Sequence, residues 1–128
     1  MVKVSMDADC GNSPKVAFLK TLNIAFAEGN VALISDSVTE NIVWNMIGDK
    51  SIEGKPDFVK TLEAMKATKT KELVLKSIVT HGKEGATNGE MILENGEKYA
   101  FCDVYEFSNA KGSAIKTITS YVIEIKSK

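Results

Sequence analysis

Asp103 is the residue in this chain whose setting asks for chemistry. It sits in the run Tyr-Ala-Phe-Cys-Asp-Val-Tyr-Glu-Phe, residues 99 to 107, and a strand sends successive side chains to opposite sides. Tyr99, Phe101, Asp103, Tyr105 and Phe107 therefore share one face, while Ala100, Cys102, Val104 and Glu106 share the other. The aromatic face is expected to be the buried one. A carboxylate is seldom buried without a partner, because desolvation raises its pKa or demands a strong hydrogen bond. An acid among four aromatic side chains should titrate high and be able to donate, which makes Asp103 the candidate general acid or polar anchor of an apolar site. The bland alternative is an acid satisfied by Tyr105, Asn45 or a water, with no chemistry attached.

Other residues are expected to converge on it. Asn45 is placed to hydrogen-bond a carbonyl or hydroxyl group if its side chain faces Asp103, and its neighbour Trp44 then faces the opposite way unless a bulge intervenes. Ser120 joins from the last strand, with Ile118 and Val122 on the same face. Tyr99, Phe101 and Tyr105 supply wall area first and hydroxyl groups second. Apolar walls with a few convergent polar groups describe a site for a small apolar molecule in outline.

Composition narrows the alternatives. The formal charge is −1 and all 16 basic side chains apart from the single His are Lys. Without Arg the bidentate fork for phosphates and guanines is missing, and without a positive field nucleic acid is not expected as a partner. His81 is the sole histidine and sits beside a Gly-Lys-Glu-Gly turn, so neither a His-rich metal site nor a triad built on another histidine is available. Cys10 and Cys102 are read as two free thiols. No metal or cofactor is expected, since Gly-Lys-Glu-Gly-Ala-Thr-Asn-Gly-Glu lacks both phosphate-loop spacing and a following helix. The apolar runs are too short to span a bilayer and the N-terminus has no secretory h-region, so the expectation is a cytoplasmic protein with no membrane contact.

The elements that must position these residues follow from punctuation and period. Residues 1 to 11 carry no periodic pattern and read as a flexible leader, with a single domain over 12 to 128. Ser13 caps a first helix with Pro14 at its first position, and Phe18, Leu22, Ala25 and Phe26 recur at helical spacing until Gly29. Asn30 caps a short second helix. Asn41 to Gly48 reads as a strand, followed by a short Ser-Ile-Glu strand, a turn at Gly54 and a third helix with Pro56, Phe58, Leu62 and Met65. From Glu72 the pattern becomes four long strands with turns at Gly82–Gly85, Asn95-Gly96 and Asn109–Gly112, an antiparallel meander. Helices in the first half and a meander in the second make an α+β fold, with the helices on one face of a highly curved sheet.

This order of elements resembles the nuclear transport factor 2-like superfamily, which includes SnoaL-type cyclases and ketosteroid isomerases. Residues 38 to 65, Val-Thr-Glu-Asn-Ile-Val-Trp through Leu-Glu-Ala-Met, look like the SnoaL-like strand, glycine and helix pattern, and residues 103 to 121 are similar to its final hairpin. The resemblance covers roughly residues 13 to 125 and implies a cone-shaped, cystatin-like barrel. In ketosteroid isomerases an Asp in a D-V-x-x-F context is held neutral to donate to an enolate oxyanion, which implies that role for Asp103 in Asp-Val-Tyr-Glu-Phe. The position matching the isomerase's general base is Asn45, and the one matching its oxyanion-binding Tyr is Leu22. A limonene-type epoxide hydrolase would need an Arg that this chain lacks.

Two functions are compatible with these residues. One is a cofactor-independent isomerase, cyclase, dehydratase or hydrolase on a small apolar carbonyl or hydroxyl compound. Asp103 is then the general acid and Asn45 and Ser120 orient the compound, inside walls that Phe18 and Leu22 of the first helix would complete. The other is a non-catalytic hydrophobic-ligand-binding or association domain. The resemblance implies homodimers built through the sheet, and Cys102, Val104 and Ile123 would lie on its outer face.

Overall fold

Capping residues set where the helices begin and end. In the computed structural model, which describes residues 2–6, 13–112 and 114–126, helix α1 spans Pro14–Glu28, with the Ser13 hydroxyl accepting from the Val16 N–H and Gly29 closing it at φ 72°. That left-handed backbone suits glycine. Helix α2, Val31–Asp36, starts where the Asn30 side chain accepts from the Leu33 N–H. Helix α3, Lys55–Met65, carries Pro56 in its first turn and buries Phe58 and Leu62, whereas Met65 is exposed.

Seven strands form one sheet. They are β1 Lys3–Met6, β2 Val38–Met46, β3 Ser51–Glu53, β4 Thr70–His81, β5 Glu84–Leu93, β6 Lys98–Phe107 and β7 Ile115–Ile125. Their spatial order is β1-β4-β5-β6-β7-β2-β3. Strands β4 to β7 are the antiparallel meander; β2 runs parallel to β7, and β3 pairs antiparallel with β2. Register shifts within β4 and β2 bend these strands, as bulges do, and the sheet curls around the helices in the expected α+β cone.

The N-terminus departs from the expected leader. Lys3–Met6 pairs in parallel with the free edge of β4, from Lys3 opposite Glu72 to Met6 opposite Leu75, and Val2 and Met6 pack against the core. Four residues are too few for a periodic pattern, so an unpatterned stretch becomes a strand because an edge with unpaired N–H and C=O groups is there to receive it. The remainder of the expected leader, and Cys10 with it, falls mostly outside the described residues.

The core lies between the concave face of the sheet and the helices. Leu19 and Leu22 of α1, Ile42 and Trp44 of β2, Phe58 of α3, Leu75 of β4 and Phe107, Ile115 and Ile118 of the last hairpin are all essentially closed to water, each contributing about 1.5–3 kcal/mol of hydrophobic burial. At Gly85 on β5 a Cβ would stand 2.9 Å from Leu19 Cδ1. Its absence lets α1 press against the sheet there, and this close approach brings Asn23 of α1 to the site.

Candidate functional site

Strand register arranges the concave face in rows. In one, Gly85 of β5 lies opposite Tyr105 of β6, which lies opposite Ile118 of β7, which pairs with Trp44 of β2. In the next row Ile78, Thr87, Asp103, Ser120 and Met46 follow one another across β4, β5, β6, β7 and β2. A third row holds Leu75, Gly89, Phe101 and Val122, and a fourth Leu73, Met91, Tyr99 and Glu124. Tyr105 and Ile118 are buried at 2%, Ser120 at 8%, and Val122 is 51% exposed. Passing from the first row to the third along β7, the face opens from core to water, and Asp103 stands at the transition, itself half-buried.

Asp103 is the acceptor on which a chain of donors converges. The Tyr105 hydroxyl donates to its Oδ2 at 3.5 Å. That phenol oxygen receives Asn23 Nδ2 at 3.1 Å and shares a hydrogen bond of 3.0 Å with Thr87 Oγ1. Asn23 is tied in turn to the α1 backbone through the Leu19 carbonyl, 2.8 Å away. On the β7 side, Trp44 Nε1 donates to Ser120 Oγ at 2.9 Å.

Burial pushes the Asp103 carboxyl up to about 6, while hydrogen bonds from Ser120 and Tyr105 pull it the other way. Desolvation wins. Among the described residues no basic side chain lies within ion-pair distance of it. Burial also raises the Tyr105 phenol, with the Asp103 charge adding to the effect, so Tyr105 is a neutral hydrogen-bonding group at any physiological pH.

The structure brings some of the expected residues together and separates others. Asp103, Tyr105, Ser120, Phe101 and Ile118 share the concave face as the alternation requires. Asn45 does not join them. It occupies the outer face of β2, where its Oδ1 accepts from the Ser51 hydroxyl at 2.8 Å in an exposed setting. The phase of β2 is set by its large apolar residues: Ile42 and Trp44, at 0% and 5% exposure, take the interior, and a period of two then puts Asn45 outside. Trp44 fills the inner position instead, edge-on to Phe26 at 5.6 Å and to Phe58 at 5.5 Å. Phe18 packs on Phe107 at the closed end of the cone, 5.8 Å between ring centroids, two rows away from Asp103. Leu22 is core, 1% exposed. Val122 points along the predicted face but into the open, and Tyr99 turns its hydroxyl to Glu97 Oε1 at 3.2 Å.

Asn23 and Thr87 were missed by pattern reading. Each has a signal in retrospect: Asn23 is a polar residue within the buried side of α1, and Thr87 is the one side chain between Gly85 and Gly89 on the inner face of β5. Asp103 lines neither of two surface depressions. One of about 350 Å3 is bordered by Ser77, Val79, Cys102, Tyr121 and Ile123, and one of about 400 Å3 lies between β3 and α3. Among the described residues no group of three His, Cys, Asp or Glu could hold a metal ion, and no helix is long and apolar enough to cross a membrane.

No family model matches the sequence, and no curated protein matches it. Solved structures do. An NTF2-like protein of unknown function from Cytophaga hutchinsonii superposes with a TM-score of 0.67 at 23% identity, over 85% of this chain and 99% of the other. The chain has the nuclear transport factor 2-like fold. The same cone is shared with an M. tuberculosis LEH-like epoxide hydrolase, at a TM-score of 0.71 and 16% identity over 85% of this chain and 82% of that one. It is shared too with a protein from Kribbella flavida provisionally assigned as a ketosteroid isomerase, at 0.73 and 12% over 89% and 81%. The NTF2-like cone therefore occurs with different activities, and fold alone selects none of them.

Proposed function

We propose that the concave face beside Asp103 is a small-molecule site, and that Asp103 transfers a proton to or from a small apolar carbonyl or hydroxyl compound lying against Phe101, Tyr99 and Val122. The observation that carries this reading is the half-buried carboxylate itself: burial pushes it up to about 6, among the described residues no cation pairs with it, and it stands on the boundary between a sealed core and an open apolar surface. A pKa near the working pH is what a general acid or base needs. A group at about 6 is mostly ionised at neutral pH, so it accepts a proton first and becomes the acid by having done so. One residue can then serve both halves of an isomerisation or a cyclisation. The neighbours provisionally assigned as a ketosteroid isomerase and named an LEH-like epoxide hydrolase support chemistry of this general kind on this fold.

The test is binding and turnover with a panel of apolar ketones, enones and phenols, read by the fluorescence of Trp44, the sole tryptophan, and by the Asp103 carboxyl resonance. Saturable binding that moves this resonance, and is weakened at least tenfold by Asp103→Asn, is the expected result. Binding that is indifferent to Asp103→Asn would remove the carboxylate from the site.

A second reading concerns partners. On the outer face Val79, Val104, Tyr121 and Ile123 are 60%, 41%, 46% and 69% exposed, a run of apolar side chains across β4, β6 and β7 that water solvates poorly. We infer a homodimer built through this face, compatible with an open concave side in each copy.

A further inference from the structure

The position of Trp44 serves two ends that can be told apart. Its ring packs edge-on against Phe26 and Phe58, contacts that a phenylalanine would largely reproduce. Its indole N–H is what phenylalanine lacks, and that group donates to Ser120 Oγ at 2.9 Å in a buried setting. A serine hydroxyl has one hydrogen and two lone pairs. With a lone pair committed to the indole, the hydrogen remains to be donated, and Asp103 is the residue directly across the β6–β7 pair.

The other side of the carboxylate is polarised in the same sense. The Asn23 amide nitrogen is a pure donor and delivers its hydrogens to the Leu19 carbonyl and the Tyr105 oxygen. The Tyr105 hydrogen points at Asp103 Oδ2 when Thr87 is the donor of the Thr87–Tyr105 pair, in which either oxygen can donate. The outermost groups of the network, the indole N–H and the amide N–H, can only donate, which favours donation toward the carboxylate from both flanks. Chains of hydrogen bonds aligned in this way reinforce one another.

We propose that Trp44 is a positioning residue: its indole N–H orients the Ser120 hydroxyl as a donor to Asp103 and so holds the carboxylate as a proton acceptor facing the open side of the cone. This rests on the reading of Asp103 as the proton-transferring group, and assigns that group the role of base in the resting protein. It differs from an acid kept neutral to donate, because a neutral carboxyl would meet donors from both flanks and have little use for them. Around Asp103, β5 contributes Thr87, β6 contributes Tyr105, β7 contributes Ser120 with Glu124 further along the same face, β2 contributes Met46 and α1 contributes Asn23. Tyr105 and Glu124 are the titratable members of that set, and Tyr105 stays neutral.

The experiment follows the Trp44 indole N–H signal of nitrogen-15-labelled protein, together with the Asp103 carboxyl carbon, from pH 4 to 8. The expected result is one shared inflection. Ser120→Ala should raise the Asp103 pKa by about one unit, a tenfold change in its acid constant, and Trp44→Phe by a smaller amount in the same direction. Ser120→Thr, which keeps the hydroxyl, should restore it. An indole signal that stays flat through the Asp103 inflection, or an unchanged pKa in Trp44→Phe, would leave Trp44 a packing residue and overturn the proposal. Should Trp44→Phe fail to fold, the indole titration of the wild type and of Ser120→Ala still decides. Failure of this relay leaves ligand binding at Asp103 intact, whereas failure of the ligand panel leaves the shared inflection intact, so the two readings fall separately.

Discussion

The two faces of β6 treat water in opposite ways. The inner face carries Phe101, Asp103, Tyr105 and Phe107 and places a carboxylate and a phenol where water is scarce, with the phenol fully enclosed. The outer face carries Ala100, Cys102, Val104 and Glu106, and with Tyr121 and Ile123 of β7 it leaves apolar groups in water. Polar groups kept inside and apolar groups kept outside both reduce the stability of an isolated protomer. A domain selected for stability alone would have neither. The inner departure fits a site for a reacting molecule and the outer one fits a second protein surface, as strained or poorly solvated features commonly mark function.

The comparison can be broken from the inside by the largest effect. Trp44→Ala removes the ring between Phe26 and Phe58 and the donor to Ser120, and should cost about 3–5 kcal/mol in urea unfolding, as a large core aromatic does. A cost below about 1 kcal/mol would mean that the inner face is not packed as described.

Asp103→Asn has the opposite sign. Because the folded-state pKa, about 6, exceeds that of an unfolded aspartate, about 3.9, the folded protein holds the proton more tightly. The contribution of Asp103 is then fully present below about pH 4 and lost as pH rises through about 6. The amide should therefore be more stable than wild type by about 3 kcal/mol at pH 8 and close to equal to it at pH 4, read as the difference between two denaturation series. A variant less stable than wild type at pH 8 would make the carboxylate part of the scaffold.

On the outer face, Ile123→Glu should separate a dimer into protomers in sedimentation while changing the unfolding free energy of the protomer by less than about 1 kcal/mol. An unchanged mass would take the dimer interface away from this face. The smallest effect belongs to Asn45. Since its side chain, among the described residues, bonds to Ser51 alone and in an exposed position, Asn45→Ala should shift stability by no more than about 0.5 kcal/mol and leave the Asp103 titration where it is.

These results also mark how far the sequence reads on its own. Period-two alternation in residues 99 to 107 was enough to put Asp103 among aromatics, and Ser13, Pro14, Gly29 and Asn30 were enough to bound the first helix and start the second, because caps and alternation are local. Asn45 was placed on the wrong face because two neighbouring residues in a strand offer two phases, and only the packing of Trp44 against Phe26 and Phe58 chooses between them. Asn23 and Thr87 meet at Tyr105 from elements 82 and 18 residues away, a convergence fixed by how closely α1 settles on Gly85. Lys3–Met6 became a strand for a similar reason, since its partner is an edge that exists only once β4 has formed.

The measurement that tests the central claim most directly is the pH titration of the Asp103 carboxyl carbon by NMR in the wild-type protein. A midpoint at about 6, well above an ordinary aspartate, is the result the account predicts. A midpoint near about 4 would show a carboxylate fully satisfied by its donors or by water, and would contradict the proton-transfer role.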